Sequence, residues 1–327
     1  MNCRFCNHTV SYVFADLHHA PASNSFLTAE ALQLPEVYFP LKVWVCHHCF
    51  LVQIDEVKQH EHIFDNNYIY FSSFSSSWLV HSHKFAQMAT KQFNLSENSL
   101  VVEIASNDGY LLQYFKQQNI PCLGIEPTAN TAQAAISKGI ETITEFFGTP
   151  LANQLSAQGK IANLIVCNNV LAHVPDLKDF VQGLKIMLKP EGVISLEFPH
   201  ILQLIKNLQF DTIYHEHFSY FSLFTLLKVF KKFELEIFDV EELTTHGGSL
   251  RIFVRHSQHR KEKTKTYDNI QKVLNDEMVS GLTKISGYAN FQYKIDNLRI
   301  EVLHLFSTLK KEGKKIAAYG AAAKGNT

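Results

Sequence analysis

The segment Val101-Val102-Glu103-Ile104-Ala105-Ser106-Asn107-Asp108-Gly109-Tyr110 constrains the fold more than any other part of this chain. Two β-branched residues lead into an acidic one. A small polar turn ends on glycine, and a helix-like run follows from Leu111 to Lys116. That is a strand, a tight turn and a helix N-terminus, an arrangement that lets backbone N–H groups approach a ligand closely. Further on, Gly124-Ile125-Glu126-Pro127 reads as the end of a second strand carrying a carboxylate able to accept both hydroxyls of a ribose. The turn lacks the G-x-G-x-x-G that a dinucleotide pyrophosphate requires. S-adenosylmethionine (SAM), with a ribose and an adenine but no phosphates, fits it better; an ordinary βαβ unit with a polar turn is the plainer alternative.

Strand-like and helix-like runs alternate after this point: 100–105, 110–118, 121–126, 130–138, 163–168, 176–188 and 192–198, with 79–95 a helix leading in. Lys189-Pro190-Glu191-Gly192 reads as a helix end and a turn. Such alternation predicts an α/β fold with a parallel, doubly wound, Rossmann-like sheet, whose ligands sit at the carboxyl ends of the strands. Three of those ends are polar: Ser106-Asn107-Asp108, Glu126, and Asn168-Asn169. Together with Glu103, Gly109 and Pro127 they are the candidate cofactor residues.

Composition narrows the class. With 327 residues, 46% apolar and 19% charged, the chain can build a large core or two domains. A net charge of −1 argues against a nucleic-acid partner. No apolar run is long enough to span a bilayer, so no membrane partner is expected. The N-terminus has no signal-peptide h-region, which makes a cytoplasmic location the expectation. A monomer is the default assembly.

Four of the six cysteines fall in two pairs, Cys3-x-x-Cys6 and Cys46-x-x-Cys49. Each knuckle places two thiolates on one tight turn, as a tetrahedral zinc site needs. A cytoplasmic setting disfavours the disulfide alternative. Four thiolates leave no position for water, so the zinc is structural and staples a module too small to be stable alone. His8, His47 and His48 lie close enough for one to replace a cysteine, but four thiolates are preferred. Cys122 and Cys167 sit in apolar runs and read as core residues.

Tyr68-Ile69-Tyr70-Phe71-Ser72-Ser73-Phe74 interleaves aromatics with serines and reads as a lid or substrate-facing segment, or else as an aromatic connector. Ser249 to Val254 alternates and reads as a strand. Over 258–312 the pattern is helical, with Ile295, Leu298, Val302 and Leu305 on one packing face. The last residues, from Lys315 to Thr327, read as a strand entering a small-residue turn, the start of a second α/β unit. No helix follows, so a truncated sequence is expected. Finally, Phe210-Asp211-Thr212-Ile213-Tyr214-His215-Glu216-His217-Phe218-Ser219-Tyr220-Phe221 clusters a phenol, a carboxylate and imidazoles. His217 and His215 are suited to general-base work near neutral pH. His173, in Asn169-Val170-Leu171-Ala172-His173-Val174-Pro175-Asp176, follows the third polar strand end.

Taken in order, C-x-x-C…C-x-x-C, E-I-x-S-N-D-G, G-I-E-P, N-V-x-A-H-V-P-D, Y-H-E-H-x-x-Y-F-S, H-G-G-S-L-R and A-A-Y-G-A-A-A-K-G-N-T resemble the sugar C-methyltransferases over essentially the whole chain. Ala105 stands where that family commonly has glycine. The resemblance implies methyl transfer from SAM to C3 of a nucleotide-linked 4-keto-6-deoxysugar, in deoxysugar biosynthesis. It implies a zinc-binding module (1–57), an aromatic and helical connector (58–95), a SAM-binding core (96–245) and an incomplete C-terminal α/β substrate domain (246–327). It further implies His217 as base with Tyr214 its competitor, Glu216 orienting the imidazole, and His173 and Tyr68 hydrogen-bonding the ketone or enolate. The competing readings are a SAM-binding remnant without turnover, an NAD(P)-dependent dehydrogenase suggested by Glu126, and a zinc-ribbon RNA methyltransferase disfavoured by the neutral charge.

Overall fold

The first three strands are β1 (Tyr12–Ala20), β2 (Phe39–Val45) and β3 (Val52–Ile54). The computed structural model describes residues 1–24, 27–56, 68–259 and 266–317. In β2, Leu41, Val43 and Val45 are buried and the residues between them are not, the period of two that one covered sheet face imposes. The strands pair antiparallel, with Val43 opposite Ile54 and Val45 opposite Val52.

Helix α1 (Ser76–Gln92) follows, its N-terminus capped by the Ser75 side chain, which accepts from the Trp78 amide. The alternating core then runs β4 (Val101–Ile104), α2 (Leu112–Lys116), β5 (Cys122–Ile125), α3 (Ala129–Ser137), β6 (Thr142–Ile143), α4 (Thr149–Ala157), β7 (Ala162–Asn168), α5 (Leu177–Met187) and β8 (Leu188–Pro199). Next come α6 (Ile201–Lys206), β9 (Ser219–Tyr220), α7 (Leu223–Lys232), β10 (Leu235–Leu243), β11 (Ser249–His256), α8 (Thr266–Val279) and α9 (Phe291–Lys311). The large sheet has the order β10-β11-β8-β7-β4-β5-β6. The pairs among β4 to β8 are parallel; β11 is antiparallel to both β8 and β10. All four residues of β4 are buried, as a central parallel strand covered on both faces requires. The expected parallel, doubly wound sheet is present.

The structure departs from the sequence reading in four places. Lys189–Gly192 is not a turn after a helix but a bulge inside β8: Leu188 pairs with Ala162 and Val193 with Leu164. The strand can fold back this tightly because Gly192 has no side chain; a Cβ there would stand 2.9 Å from the Ala162 carbonyl oxygen. Second, β9 leaves the core and adds to the N-terminal sheet, Val52 pairing with Tyr220 and Gln53 with Ser219. The small sheet thus has the order β1-β2-β3-β9 and buries Phe14, Leu41 and Val43 against Ile201, Ile213, Tyr288 and Phe291. Third, the strand read at Ser249–Val254 runs on to His256 as β11 and joins the core sheet between β8 and β10. Fourth, α9 packs only at its start: Phe291 stacks on Phe14 with ring centroids 4.4 Å apart and Ile295 is buried, but Val302 and Leu305 are exposed. The expected packing face therefore ends within two turns. Residue 57 of the zinc module, 58–67 of the connector and 318–327, where the C-terminal strand and turn are expected, lie outside the described residues, and 314–317 form no regular element. Among the described residues, no helix is long and apolar enough to cross a membrane.

Candidate active site and metal centre

The order of the large sheet reverses between β4 and β7, the switch point at which doubly wound sheets open a crevice. A cavity of about 740 Å³ lies there, over the carboxyl ends of β4, β5, β6 and β7. Its two halves differ in chemistry.

One half is built from the β4 turn and the strand ends beside it. Ala105, Asn107 and Gly109 all take positive φ, so the chain folds back within five residues of β4. Only glycine serves at 109, where a Cβ would come within 2.4 Å of Ile140 Cδ1. At 105 an alanine holds a conformation that favours glycine. Glu126 Oε2 accepts from the Asn107 amide at 2.8 Å and Oε1 from the Thr128 amide at 2.9 Å. Oε1 also accepts from the Thr128 hydroxyl, so Oε2 is the oxygen that keeps a second lone pair for a hydroxyl donor. Burial raises the Glu126 pKa above the ordinary carboxylate value, and these hydrogen bonds pull it back only in part. Asn107, Glu126, Pro127, Asn168 and Asn169 line the cavity; Glu103, Ser106, Asp108 and Gly109 lie beneath the turn and do not. Glu103 is fully buried, and that burial pushes its carboxyl well above the usual range.

The aromatic segment closes over this half. Asn107 donates through Nδ2 to the Tyr70 carbonyl (3.0 Å) and accepts at Oδ1 from the Ser72 amide (2.9 Å). Asn130 Nδ2 donates to the Tyr68 carbonyl at 2.6 Å. Tyr68 and Tyr70 are thereby brought to the cavity wall. Two observations test the fit of SAM. The side-chain oxygens of Asn168 and Asn169 are buried without a partner among the described residues, at the strand end where an ammonium could satisfy them. Pro127, Phe146, Phe147 and Val170 give the same half an apolar wall suited to an adenine ring. Phe146 and Phe147 were not anticipated, because nothing in their short loop carries a local signature.

The other half holds Tyr214, Glu216, His217, His173 and Tyr68. His217 Nδ1 lies 2.9 Å from the Thr212 carbonyl oxygen, which can only accept. The proton is therefore on Nδ1, and Nε2 carries the lone pair. The Tyr214 hydroxyl lies 2.8 Å from Nε2 and donates to it. The Thr212 carbonyl thus holds the ring's Nδ1–H, and Glu216 Oε1 accepts from Asn24 Nδ2 at 2.7 Å. Burial pushes the Tyr214 phenol well above its ordinary pKa. His215, the alternative base, does not line the cavity; it lies 3.3 Å from the Pro40 carbonyl and edge-on to Phe39.

His173 ends a 3-10 turn, Leu171–His173, and meets His217 edge-on with centroids 4.7 Å apart. Burial drives its pKa down to about 4, opposed by a hydrogen bond to the Glu216 backbone. A histidine held neutral stabilises the fold fully above its unfolded pKa near 6.5, and that contribution is lost as pH falls towards 4. The His173 ring resonance should therefore stay in its neutral position from pH 8 down to pH 5 in an NMR titration.

Trp78, Tyr110, Asn24 and His246 also reach the cavity without having been assigned a place in it. His246 sits at φ 51° in the H-G-G turn, and Asn169 Nδ2 donates to its Nε2 at 3.0 Å. A buried charge cluster supports that turn. Glu197 Oε1 accepts from Thr245 Oγ1 at 2.8 Å, while Oε2 meets Arg251 at 2.6 Å and His81 at 2.8 Å. Burial pushes Glu197 up, but the His81 hydrogen bond and the Arg251 charge outweigh it and hold the carboxyl below the usual range. Arg251→Leu removes the guanidinium from that buried carboxylate, leaving it Thr245 and His81, and should cost about 3 kcal/mol, measurable by denaturant unfolding.

Away from the cavity, the four sulfurs of Cys3, Cys6, Cys46 and Cys49 all lie within 4.8 Å of one another, and none is in a disulfide. Cys3 and Cys49 are 3.5 Å apart, as are Cys6 and Cys46. Tetrahedral zinc with a Zn–S bond of about 2.3 Å requires sulfurs about 3.8 Å apart, so the donor set fits zinc with no open position. Gln53 Nε2 donates to Cys3 Sγ at 3.3 Å. His8 and His48 stack at the exposed edge, with centroids 3.9 Å apart.

Three family models match the chain in succession: a zinc binding domain over 3–64, a methyltransferase domain over 79–240 and a C-methyltransferase C-terminal domain over 244–327. Fold, cavity and thiolate cluster define a SAM-dependent methyltransferase with a four-cysteine zinc site, and the dehydrogenase reading falls. The C-methyltransferase NovU of Streptomyces niveus is 31% identical over 324 residues, covering 99% of this chain and 76% of NovU. This chain belongs to that family of C-methyltransferases, which join a zinc-binding domain, a methyltransferase domain and a C-terminal domain. Among solved structures, the SAH-bound magnesium protoporphyrin IX methyltransferase of Synechocystis PCC 6803 is 15% identical, with a TM-score of 0.44 over 55% of this chain and 83% of that one.

Proposed function

We propose that the chain methylates C3 of a nucleotide-linked 4-keto-6-deoxysugar in deoxysugar biosynthesis. Carbon is a poor nucleophile until it loses a proton, and a C3–H beside a C4 ketone is acidic enough for an enzyme base. The observation that carries the reading is the His217 tautomer: Nδ1–H is fixed by the Thr212 carbonyl, so Nε2 faces Tyr214 as a base. His217 takes the C3 proton, directly or through the Tyr214 hydroxyl. The Tyr68 phenol donates to the developing enolate oxygen, where a fixed donor contributes most, while neutral His173, whose one N–H goes to the Glu216 backbone carbonyl, packs edge-on against His217. SAM, held by Glu126, the Asn107 backbone, Asn168 and Asn169, supplies the electrophilic methyl group. An uncharged lining, with no lysine or arginine among the described residues, suits the sugar ring better than its diphosphate. The test is deuterium incorporation at C3 of such a sugar nucleotide in D₂O with S-adenosylhomocysteine bound. Exchange supports the reading; its absence, with methyl transfer also absent, ends it.

A further inference from the structure

We propose that Arg4, inside the first zinc knuckle, is a positioning residue that ties the zinc centre to both catalytic segments. The inference rests on reading Tyr214, His217 and His173 as the catalytic group. Arg4 lies between two ligands, Cys3 and Cys6, and its own amide donates to Gln53 Oε1 at 3.0 Å. Gln53 in turn donates to Cys3 Sγ. The backbone of Arg4 is thus fixed by the metal cluster.

Its guanidinium points away from the metal. Nη2 donates to the Ile54 carbonyl at 2.7 Å and Nη1 to the Pro175 carbonyl at 3.1 Å. The same group lies over the Phe218 ring, 5.2 Å from its centroid. Ile54 ends β3, and its amide donates to the Phe218 carbonyl at 3.1 Å. Phe218 follows His217 directly, and Pro175 lies two residues after His173. One planar cation therefore spans the two segments that must hold His173 and His217 edge-on, 4.7 Å apart. Two carbonyls on different segments need a donor with two fixed directions. A guanidinium fork supplies them and an ammonium does not.

The contacts are made to backbone carbonyls, so they fix main-chain position without contributing charge chemistry to the cavity. Arg4 does not line that cavity. Its loss should let the two segments drift apart while the cofactor half, built on β4, β5 and β7, stays intact. Zinc in this protein is then a working part of the active site's geometry as well as a staple.

The test uses Arg4→Met, which keeps the apolar stem, and Arg4→Lys, which keeps the charge but only one directed contact, each in the full chain. Four quantities are read: zinc content, affinity for S-adenosylhomocysteine, amide hydrogen exchange by mass spectrometry, and turnover with a 4-keto-sugar nucleotide. Expected are full zinc content, unchanged cofactor affinity and KM for SAM, faster amide exchange confined to 171–177 and 214–220, and a fall in kcat of about 100-fold. Lysine should not restore kcat. Unaltered amide exchange in those two segments would overturn the proposal. So would loss of zinc from both variants, because Arg4 would then act by folding the knuckle. If the wild-type chain fails to turn over the sugar nucleotide, the substrate reading fails, and amide exchange still decides the role of Arg4.

Discussion

Replacing His217 by asparagine should abolish C3 deuterium exchange while leaving S-adenosylhomocysteine binding intact. Removing a positioned general base costs about 10²–10⁴-fold. Asparagine can still donate to the Thr212 carbonyl from near the Nδ1 position but puts no basic lone pair in the place of Nε2. Cofactor affinity should hold because Asn107, Glu126 and Asn168 make none of their hydrogen bonds to His217. Tyr214→Phe separates two routes. If the C3 proton reaches Nε2 through the phenol, phenylalanine should cost nearly as much as the His217 change. If His217 takes it directly, the loss should be smaller. Tyr214 is a poor base on its own, since burial pushes its phenol well above the ordinary value and the phenolate is costly there. Normal exchange in His217→Asn would remove His217 from the role.

Stripping the zinc should produce the largest loss of stability. Structural zinc contributes about 10–16 kcal/mol of apparent folding free energy in small metal-dependent modules, as much as the whole net stability of a typical domain. Here the effect should spread beyond the N-terminal sheet, because β9 completes that sheet and follows the Tyr214–His217 segment directly. Chelation should therefore expose both the first fifty residues and the 214–220 segment to limited proteolysis, with turnover lost in parallel. Cys49→Ala should reproduce this without chelator. An apo protein with an unchanged melting temperature and digestion pattern would show that the sheet stands without its metal.

Much of this was legible in advance where the information is local. The two C-x-x-C knuckles announce their ligands because a turn of four residues brings two sulfurs together by itself. The β4 turn and the Glu126 strand end announce a cofactor crevice because hydrophobic period and small polar residues fix strand, turn and helix within ten positions. Asn24 carries no such signal: its contact with Glu216 depends on the N-terminal sheet docking beside the cavity. His246 carries a faint one, two glycines beside a histidine, and its place was set by the pairing of β11 with β8. The bulge at Lys189–Gly192 read as a turn because proline and glycine mark both.

The sequence by itself determined the alternation of strands and helices around β4, β5, β7 and β8 and the four zinc ligands, both consequences of short-range spacing. Tertiary structure decided which partner each catalytic group would have. The Thr212 carbonyl holds the Nδ1–H of His217. β9 joins the zinc module's sheet, and Arg4 meets Pro175 across 171 positions of chain. Backbone carbonyls are present at every residue, so no pattern of side chains can reveal which of them will accept; only the packing of distant segments selects one.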